Sequence, residues 1–320
     1  MTQVRCAYLS AAAILLLLGN DAAASSTRVW IDTDPSIGPP WREVDDAFAL
    51  LLAFRSPELD IVGLSCTYGN AGVQRTTSVA TDLARRFGGP ADVVRGASSS
   101  REAALRTPAT DALARSVQGR KLTYIALGPL TNLAAFLHLH PDLTPNIERV
   151  IIVGGQLPDR PPAFGPTRSH RIHDANVFKD SVSAAVVLNS GIPITLAAID
   201  VARQLTLNRD DLKQLRGSGP AGDFLFKKTR VWFWFWTRYV GEQGGLVFDT
   251  VAILSAIRRD LLRTERRFAE IDREGNMIAH RTRRANTQPV EFSTGVQRDA
   301  KPLLIRRLSG RAGNERAESR

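Results

Sequence analysis

Cysteine and histidine are scarce in this sequence, and their scarcity limits the sites that it can form. Two cysteines and five histidines occur in 320 residues. We predict removal of the N-terminal segment that contains Cys6, which leaves Cys66 without a partner for an intramolecular disulfide. A zinc site is disfavoured for the same reason, because zinc prefers cysteine and histidine ligands. The fold must therefore be stabilised by its hydrophobic core.

The N-terminal apolar run is too short to cross a bilayer comfortably. This run, Ala11–Leu18, follows Arg5 and precedes small residues at positions 22–25. The pattern is typical of a secretory signal peptide and its cleavage site. We predict a signal peptide over residues 1–25, export to the periplasm or the medium, and no stable membrane anchor. The alternatives are an uncleaved anchor and a chance apolar start.

Acidic residues are outnumbered, with a formal net charge of +10 and 16 basic against 9 acidic side chains in residues 258–320. Such an excess can attract anionic partners. No aromatic-interleaved basic motif or recognised nucleic-acid module accompanies it, so we expect a solvated arginine-rich surface and no nucleic-acid partner. Residues 309–320 are polar enough to form a disordered basic tail.

From Val29 onward, short apolar runs alternate with longer amphipathic stretches, the pattern of βαβ units. We predict an α/β fold in which an open, mostly parallel sheet is flanked by helices, in a single domain over residues 26–308. The predicted strands are Val29–Asp32, Ile61–Thr67, Leu122–Leu127, Arg149–Val153, Ile194–Ala198, Phe268–Ile271, Met277–Ala279 and Val290–Phe292. The predicted helices are Asp45–Arg55, Val73–Phe87, Leu130–Leu139, Val177–Leu188, Arg209–Arg216, Ala221–Val240 and Val251–Arg258.

Two pairs of aspartates stand at the first strand end and the first helix start. Asp32 and Asp34 follow the strand, and Asp45 and Asp46 begin the helix. Four carboxylates so close together repel one another unless a cation neutralises them. Calcium suits such a site because it accepts carboxylate, carbonyl and water oxygens. The alternative is that Asp45 caps the helix and the other three are solvated.

The same segments resemble a known family. Residues 30–35 and 45–50 resemble the opening motif, D-x-D-P-G-x-D-D, of the inosine-uridine-preferring nucleoside hydrolases. Five later segments resemble further family motifs in the same order, so the resemblance covers residues 28–254. These segments are Thr67-Tyr68-Gly69-Asn70, the G-P-L-T-N-bearing stretch 126–133, Val153-Gly154-Gly155, Asp174–Phe178 and Phe248-Asp249.

The resemblance implies a Rossmann-like fold and calcium-dependent hydrolysis of the N-glycosidic bond of a ribonucleoside to free base and ribose. It makes Asp34 the general base and Asp32 a supporting residue. The implied calcium ligands are the carboxylates of Asp34, Asp46 and Asp249 and the backbone carbonyl of Leu127. The implied substrate-binding residues are Asp45, Asn70, Asp174 and Asn176.

The sequence departs from the family pattern between Ile37 and Asp45. Seven residues, Gly38–Val44, are inserted there, and Ser36 stands where the family has glycine. Serine resists conformations that glycine adopts, so this loop can follow a different path. Trp41 in the insertion would either stack on a base or pack on the prolines of its own loop.

A second departure concerns protonation of the leaving base. Phe248 stands where the best-known members carry a histidine that is associated with this step. Either another group donates the proton, or base stacking and sugar activation suffice, or the leaving group needs little help. His170 and His173 lie beside a matched motif. They are candidates for substrate contact or proton donation, with a structural role as the alternative.

A third departure is Asp174-Ala175 in place of glutamate and phenylalanine, which leaves recognition of the 5′ end of the sugar in doubt. A 5′-substituted riboside is one alternative substrate, and Arg160, Arg168 and Arg171 would either serve an anionic 5′ group or be solvated. A nucleoside-binding or sugar-binding protein with a degenerate catalytic site is the other alternative.

The aromatic run 232–236 indicates core packing or a homo-oligomer interface, with base stacking by one tryptophan or Tyr239 as an alternative.

Overall fold

The computed structural model describes residues 26–38 and 42–310. The predicted signal peptide, Trp41 and residues 311–320 of the predicted tail lie outside these residues. Ser309 ends the last helix and is buried, and Gly310 follows it. Within the described ranges, no helix combines the length and the hydropathy that a bilayer crossing requires.

A large, mostly parallel sheet organises the molecule, as predicted. In the described part of the chain nine strands form it, in the order β10-β9-β11-β8-β5-β4-β1-β2-β3. Only β9 runs antiparallel to its neighbours there, and β6 and β7 form a separate hairpin. The strands are β1 Thr27–Thr33, β2 Leu59–Cys66, β3 Val93–Arg95, β4 Leu122–Ala126, β5 Ile147–Val153, β6 Ala163–Phe164, β7 His170–Arg171, β8 Ile194–Ala197, β9 Leu262–Ile271, β10 Met277–His280 and β11 Gln288–Val296.

Helices connect most of these strands. They are α1 Asp45–Phe54, α2 Val73–Phe87, α3 Pro108–Ser116, α4 Thr131–Leu139, α5 Ala175–Lys179, α6 Ser181–Leu188, α7 Arg209–Leu215, α8 Pro220–Lys228, α9 Arg230–Trp234, α10 Phe248–Ile257 and α11 Ala300–Leu308. A π-helical segment, Phe235–Val240, continues α9 and ends at Gly241 in the left-handed region. Helices α1 and α10 pack against each other and are buried along almost their whole length.

The core lies on both faces of the central strands. Strands β4 and β5 are apolar at nearly every position and almost wholly buried, as expected for strands covered by helices on both faces. Trp30 of β1 lies against Gly63 of β2, where an added Cβ would meet the indole at 2.0 Å. The indole N–H donates to Ser65 Oγ at 2.9 Å. Glycine at position 63 is therefore required by the packing of Trp30.

The structure corrects two of the predicted helices. The stretch Val177–Leu188 forms α5 and α6, because Asp180 ends the first and accepts the Ser183 N–H to cap the second. The stretch Ala221–Val240 consists of α8, α9 and the π-helical segment. Strands β3, β6 and β7 and helices α3 and α11 were not predicted. Helix α3 nevertheless carries a capping box formed by Thr107 and Thr110.

Candidate active site

The candidate site lies at the carboxyl edge of the parallel strands. Strand β1 ends immediately before Asp34, β4 before Leu127 and β5 before the glycine pair at 154–155. Asp32 is level with Ala126 on β4 and with Ser65 on β2. Because these strands are parallel and adjacent, their polar ends meet at one edge of the sheet. The structure thus brings together segments that are about a hundred residues apart in the sequence.

Three buried carboxylates form the centre of this edge. Asp45 and Asp46 occupy the first turn of α1, and Asp249 occupies the first turn of α10. One oxygen from each of the three lies within 4.8 Å of the others. Two helix N-termini therefore face one carboxylate cluster, and their positive ends favour negative charge there. This arrangement can hold a metal ion.

Hydrogen bonds connect Asp34 to the cluster. Asp46 Oδ1 accepts the Thr33 hydroxyl at 2.5 Å and the Asp34 backbone N–H at 3.1 Å. Asp46 Oδ2 accepts the side-chain amide of Asn70 at 3.0 Å, and Asp34 Oδ2 accepts the Asn70 N–H at 2.6 Å. Asp34 Oδ1 and Asp45 Oδ1 are buried without a hydrogen-bond partner. Unpartnered buried carboxylate oxygens are costly unless a cation binds them, so these residues fit a hard metal ion.

Two glycines permit the close approach of Asp34 to neighbouring turns. A Cβ at Gly69 would lie 1.8 Å from Asp34 Oδ2, and a Cβ at Gly128 would lie 2.9 Å from Asp34 Oδ1. Real Cβ atoms do not tolerate contacts as close as the first. The carboxylate is consequently held between two backbone segments that larger residues would displace.

The pKa values of this cluster are raised, chiefly by burial. Burial and then the nearby Asp45 charge raise the pKa of Asp46 to about 7. Burial also raises the pKa values of Asp34, Asp45 and Asp249 well above their usual range, and the surrounding carboxylates add to each shift. Without a cation the cluster therefore retains protons. A bound cation would favour the ionised carboxylates.

Asp32 supports the cluster without facing the pocket. Its Oδ1 accepts the Ser65 hydroxyl at 2.5 Å and the side-chain amide of Asn132 at 2.8 Å. Asn132 Oδ1 in turn accepts the Ala97 N–H at 2.7 Å. Burial raises the pKa of Asp32 to about 6, although these hydrogen bonds oppose the shift. Asn132, from the G-P-L-T-N segment, therefore ties three strand ends together.

The remaining predicted residues contact the backbone at the ends of β4 and β5. Asn176 donates from Nδ2 to the carbonyls of Leu127 at 2.9 Å and Val153 at 3.1 Å. Asp174 Oδ2 accepts the Gly155 N–H at 2.7 Å, and its Oδ1 caps α5. Burial raises the pKa of Asp174 to about 6. Both residues line the pocket described next, but the Asp174 carboxylate is already engaged by backbone donors.

A pocket of about 390 Å³ opens beside the cluster. Its polar floor includes Asp45, Asp249, Asn70, Asn176 and the Leu127 region, while Asp34 and Asp46 are buried next to it without lining it. Another part of the lining is an aromatic wall that contains Phe164, Phe235, Trp236 and Phe248. The pocket thus combines a polar surface with an aromatic one.

The aromatic wall is packed through ring contacts. Phe164 and Phe248 meet edge to face with centroids 5.7 Å apart, and Trp236 lies 5.8 Å from Phe248. Phe235 and Trp236 come from the π-helical segment, a geometry that is frequent at functional sites. Trp232 and Trp236 are buried, whereas Trp234 is about half exposed. The aromatic run therefore contributes both to the core and to the pocket.

A family model described as inosine-uridine preferring nucleoside hydrolase matches residues 29–301. The chain belongs to this family. It is therefore a hydrolase that acts on N-glycosyl bonds. Uridine nucleosidase 1 of Arabidopsis thaliana is 27% identical over 290 residues, which cover 81% of this chain and 82% of that protein. The pyrimidine-specific ribonucleoside hydrolase RihB of Shigella flexneri is 24% identical over 256 residues, covering 71% and 80%.

Solved structures of nucleoside hydrolases share the fold. The plant nucleoside hydrolase PpNRh1 superposes with a TM-score of 0.75 at 24% identity, covering 88% of this chain and 99% of the other. A purine-preferring ribonucleoside hydrolase from Gardnerella vaginalis gives a TM-score of 0.74 at 24% identity, covering 89% and 98%. The predicted family and fold class are confirmed.

Both candidate histidines line the pocket of this hydrolase. The His170 ring lies 5.6 Å from Tyr239, and the His173 ring stacks on Phe178 at 4.9 Å. Their roles in substrate contact or proton donation stay predictions. Arg171 also lines the pocket, but Arg160 and Arg168 do not.

Glu43 is a site residue that was not predicted. It lies in the inserted loop, lines the pocket, and its carboxyl group is hydrogen-bonded to that of Asp45. Burial raises the pKa of Glu43, and its Oε2 has no hydrogen-bond partner. Two carboxyl groups can share a hydrogen bond only when one of them is protonated. The insertion thus adds an acidic group that the family motif does not contain.

Proposed function

We propose that this chain is a calcium-dependent hydrolase that cleaves ribonucleosides to free base and ribose. The observation that carries the proposal is the convergence of buried carboxylates at a pocket whose lining is partly aromatic. One half of this pocket matches the hydroxyls of a sugar, and the other matches a planar base. The names of the relatives, which are pyrimidine-acting and purine-acting nucleosidases, support a ribonucleoside substrate.

Asp34, Asp46, Asp249 and the Leu127 carbonyl would hold the calcium ion. Asp46 and Asp249 form the group of three carboxylates together with Asp45. Asp34 is joined to Asp46 through its backbone N–H, and the Leu127 carbonyl accepts the side-chain amide of Asn176. These are all oxygen donors, which is the ligand set that calcium prefers over zinc. Bound calcium would supply charge that favours ionised carboxylates and a bound, more acidic water.

Asp34 would act as the general base. Asn70 fixes its Oδ2 through a backbone hydrogen bond, while its Oδ1 has no protein donor and can accept a proton. As the water oxygen bonds to the anomeric carbon, one water proton passes to Asp34. The bond between that carbon and the base nitrogen breaks, and its electron pair leaves with the base. A positioned base of this kind accelerates such reactions by about 10²- to 10⁴-fold.

The carboxylates also stabilise the transition state. Positive charge develops on the sugar ring as the base departs, and Asp45 and Asp249 line the pocket where this charge would lie. Preorganised negative groups in a dry site are effective against such charge. Asp45, Asn70 and Asn176 would hold the sugar hydroxyls, and Asp174 would orient this side of the pocket through Gly155.

The leaving base would stack on the aromatic wall. Phe248 cannot donate a proton, so its contribution is limited to contact with the ring. The leaving nitrogen would take its proton from His170 or His173, which are the imidazoles that line the pocket. The N-terminal segment supports export, so we place the activity in the periplasm or outside the cell.

The test is a hydrolysis assay on the purified mature protein with calcium. The substrates are uridine, cytidine, inosine, adenosine and guanosine, and the readouts are released base and reducing sugar. We expect turnover of at least one nucleoside and a loss of about 10²-fold or more in Asp34→Asn, with the exposed Asp92→Asn variant unchanged. Tight nucleoside binding without turnover, insensitive to Asp34→Asn, would instead identify a binding protein.

A further inference from the structure

A second cavity, of about 490 Å³, lies on the sheet edge formed by β9 and β10. The loop after β5 closes one side of it, and the connection from β10 to β11 closes the other. Its polar lining residues are Arg160, Arg267, His280, Arg281, Thr282 and Arg284. No carboxylate belongs to the lining that the structure describes. The cavity is therefore strongly cationic.

Two of these residues are buried at the cavity. Arg267 and His280 are each 5% exposed. Arg267 pairs with Glu265 at 2.8 Å, and His280 Nε2 lies 2.8 Å from Glu270. These contacts leave the Arg267 Nε–H group buried with no hydrogen-bond partner. An unpartnered buried donor is costly, so a ligand that accepts hydrogen bonds would stabilise it.

The other arginines are less engaged. Within residues 26–38 and 42–310, neither Arg281 nor Arg284 forms an ion pair. The charge of Arg160 acts on Asp200, and the charges of Arg168 and Arg203 act on the same carboxylate. Positive charge thus exceeds the negative charge available to neutralise it. An anion would complete the site.

We propose that this cavity binds a small molecule that carries a phosphate group. Guanidinium groups recognise phosphate through paired, charge-assisted hydrogen bonds, and several converge here. The site is concave, and a compact anion can reach the exposed guanidinium groups of Arg160, Arg281 and Arg284 that line it. Nucleic acid is disfavoured because no phenylalanine, tyrosine or tryptophan belongs to the described lining, and its imidazole, that of His280, is buried.

The cavity and the pocket of the proposed hydrolase share a loop. Gln156 at its start pairs with β10, since its N–H donates to Met277 and its carbonyl accepts from Ala279. The same loop then carries Phe164 and His170 into the pocket. A bound phosphate would hold the start of this loop more firmly. The binding site itself does not depend on the proposed hydrolysis.

The test is calorimetric titration of the calcium-loaded protein with inorganic phosphate at constant ionic strength, with chloride as the comparison anion. We expect saturable binding of phosphate and none of chloride. The double variant Arg281→Glu/Arg284→Glu should weaken phosphate binding by about tenfold or more. The matched control is Arg273→Glu/Arg283→Glu, which makes the same charge change at exposed residues that do not line the cavity.

The control variant should bind phosphate within about twofold of the parent protein. Equal losses in the two variants would overturn the proposal, because they would show only a general effect of surface charge. Absence of saturable phosphate binding would also overturn it. A short single-stranded oligonucleotide is the third ligand, and much tighter binding of it than of phosphate would assign the cavity to nucleic acid instead. Circular dichroism of each variant checks its folding.

Discussion

The raised pKa values of the aspartate cluster predict that calcium stabilises this protein more strongly as the pH rises. A carboxyl group whose pKa is raised by folding binds more protons in the folded state than in the unfolded state. Its contribution to stability is therefore lost as the pH rises from the unfolded value toward the folded one. For Asp46 this interval runs from 3.8 to about 7. Calcium prevents this loss of stability because it favours the ionised carboxylates in the folded protein.

The size of this calcium effect on stability follows from the shift in the pKa of Asp46. One pKa unit corresponds to about 1.4 kcal/mol, so Asp46 alone contributes about 3 kcal/mol between pH 5 and pH 7. Asp34, Asp45 and Asp249 shift in the same direction and add to this effect. The difference in unfolding free energy between the calcium-loaded and the chelated protein should therefore widen by about 3 kcal/mol or more over this range.

Urea denaturation at pH 5, 6, 7 and 8, with calcium or with chelator, measures this difference. Titration of residues outside the cluster affects both forms equally and cancels. Asp46→Asn should flatten the pH dependence, whereas the exposed Asp92→Asn should not. A calcium effect that is constant from pH 5 to pH 8 would refute the reasoning, because it would mean that the cluster is ionised without the metal.

Three substitutions test other parts of the site. Gly69→Ala should push Asp34 aside and lower kcat/KM by about 10²-fold. Gly72→Ala should leave hydrolysis unchanged, because its Cβ would meet Gln74 Oε1 at an ordinary contact distance of 3.9 Å. Asn132→Ala should cost about 3 kcal/mol in urea denaturation, because it removes one of two donors to the buried Asp32 carboxylate and leaves the buried Ala97 N–H unpartnered. A loss below about 1 kcal/mol would contradict its structural role. Phe248→His should add a general acid and raise kcat by about tenfold near pH 6, and this gain should fall as the imidazole loses its proton. An unchanged pH–rate profile would show that protonation of the leaving group does not limit the reaction.

Much of the fold was predictable because local signals agreed with the tertiary structure. Helix α2 has the predicted bounds, since Gly72 and Gly88 flank a strongly amphipathic stretch. The break at Asp180 was missed because apolar residues on both sides continue one pattern through it. The strand order was not predictable, because periodicity identifies strands but does not say which strands pair. Strand β9 acquires its place through pairing with β11, and the edge strand β10 acquires its place through pairing with β9.

The site was predictable where motifs stand at strand ends. Asp34, Leu127 and Asp249 lie far apart in the sequence, yet the ends of β1 and β4 and the start of α10 bring them to one edge. Glu43 could not be predicted, since the insertion that contains it has no counterpart in the family motif. Phe164 was missed because a short strand in a long loop offers no periodic pattern. In both cases the loop path, which depends on tertiary contacts, decides the role.

The central claim is that the carboxylate cluster holds a calcium ion that hydrolysis requires. The most direct measurement is nucleoside hydrolysis by the chelated protein as calcium is added back, with bound calcium quantified in the same samples. We expect negligible activity without metal, recovery that saturates with one calcium per chain, and weaker calcium binding in Asp249→Asn. Full activity in chelated protein that contains no bound metal would contradict it.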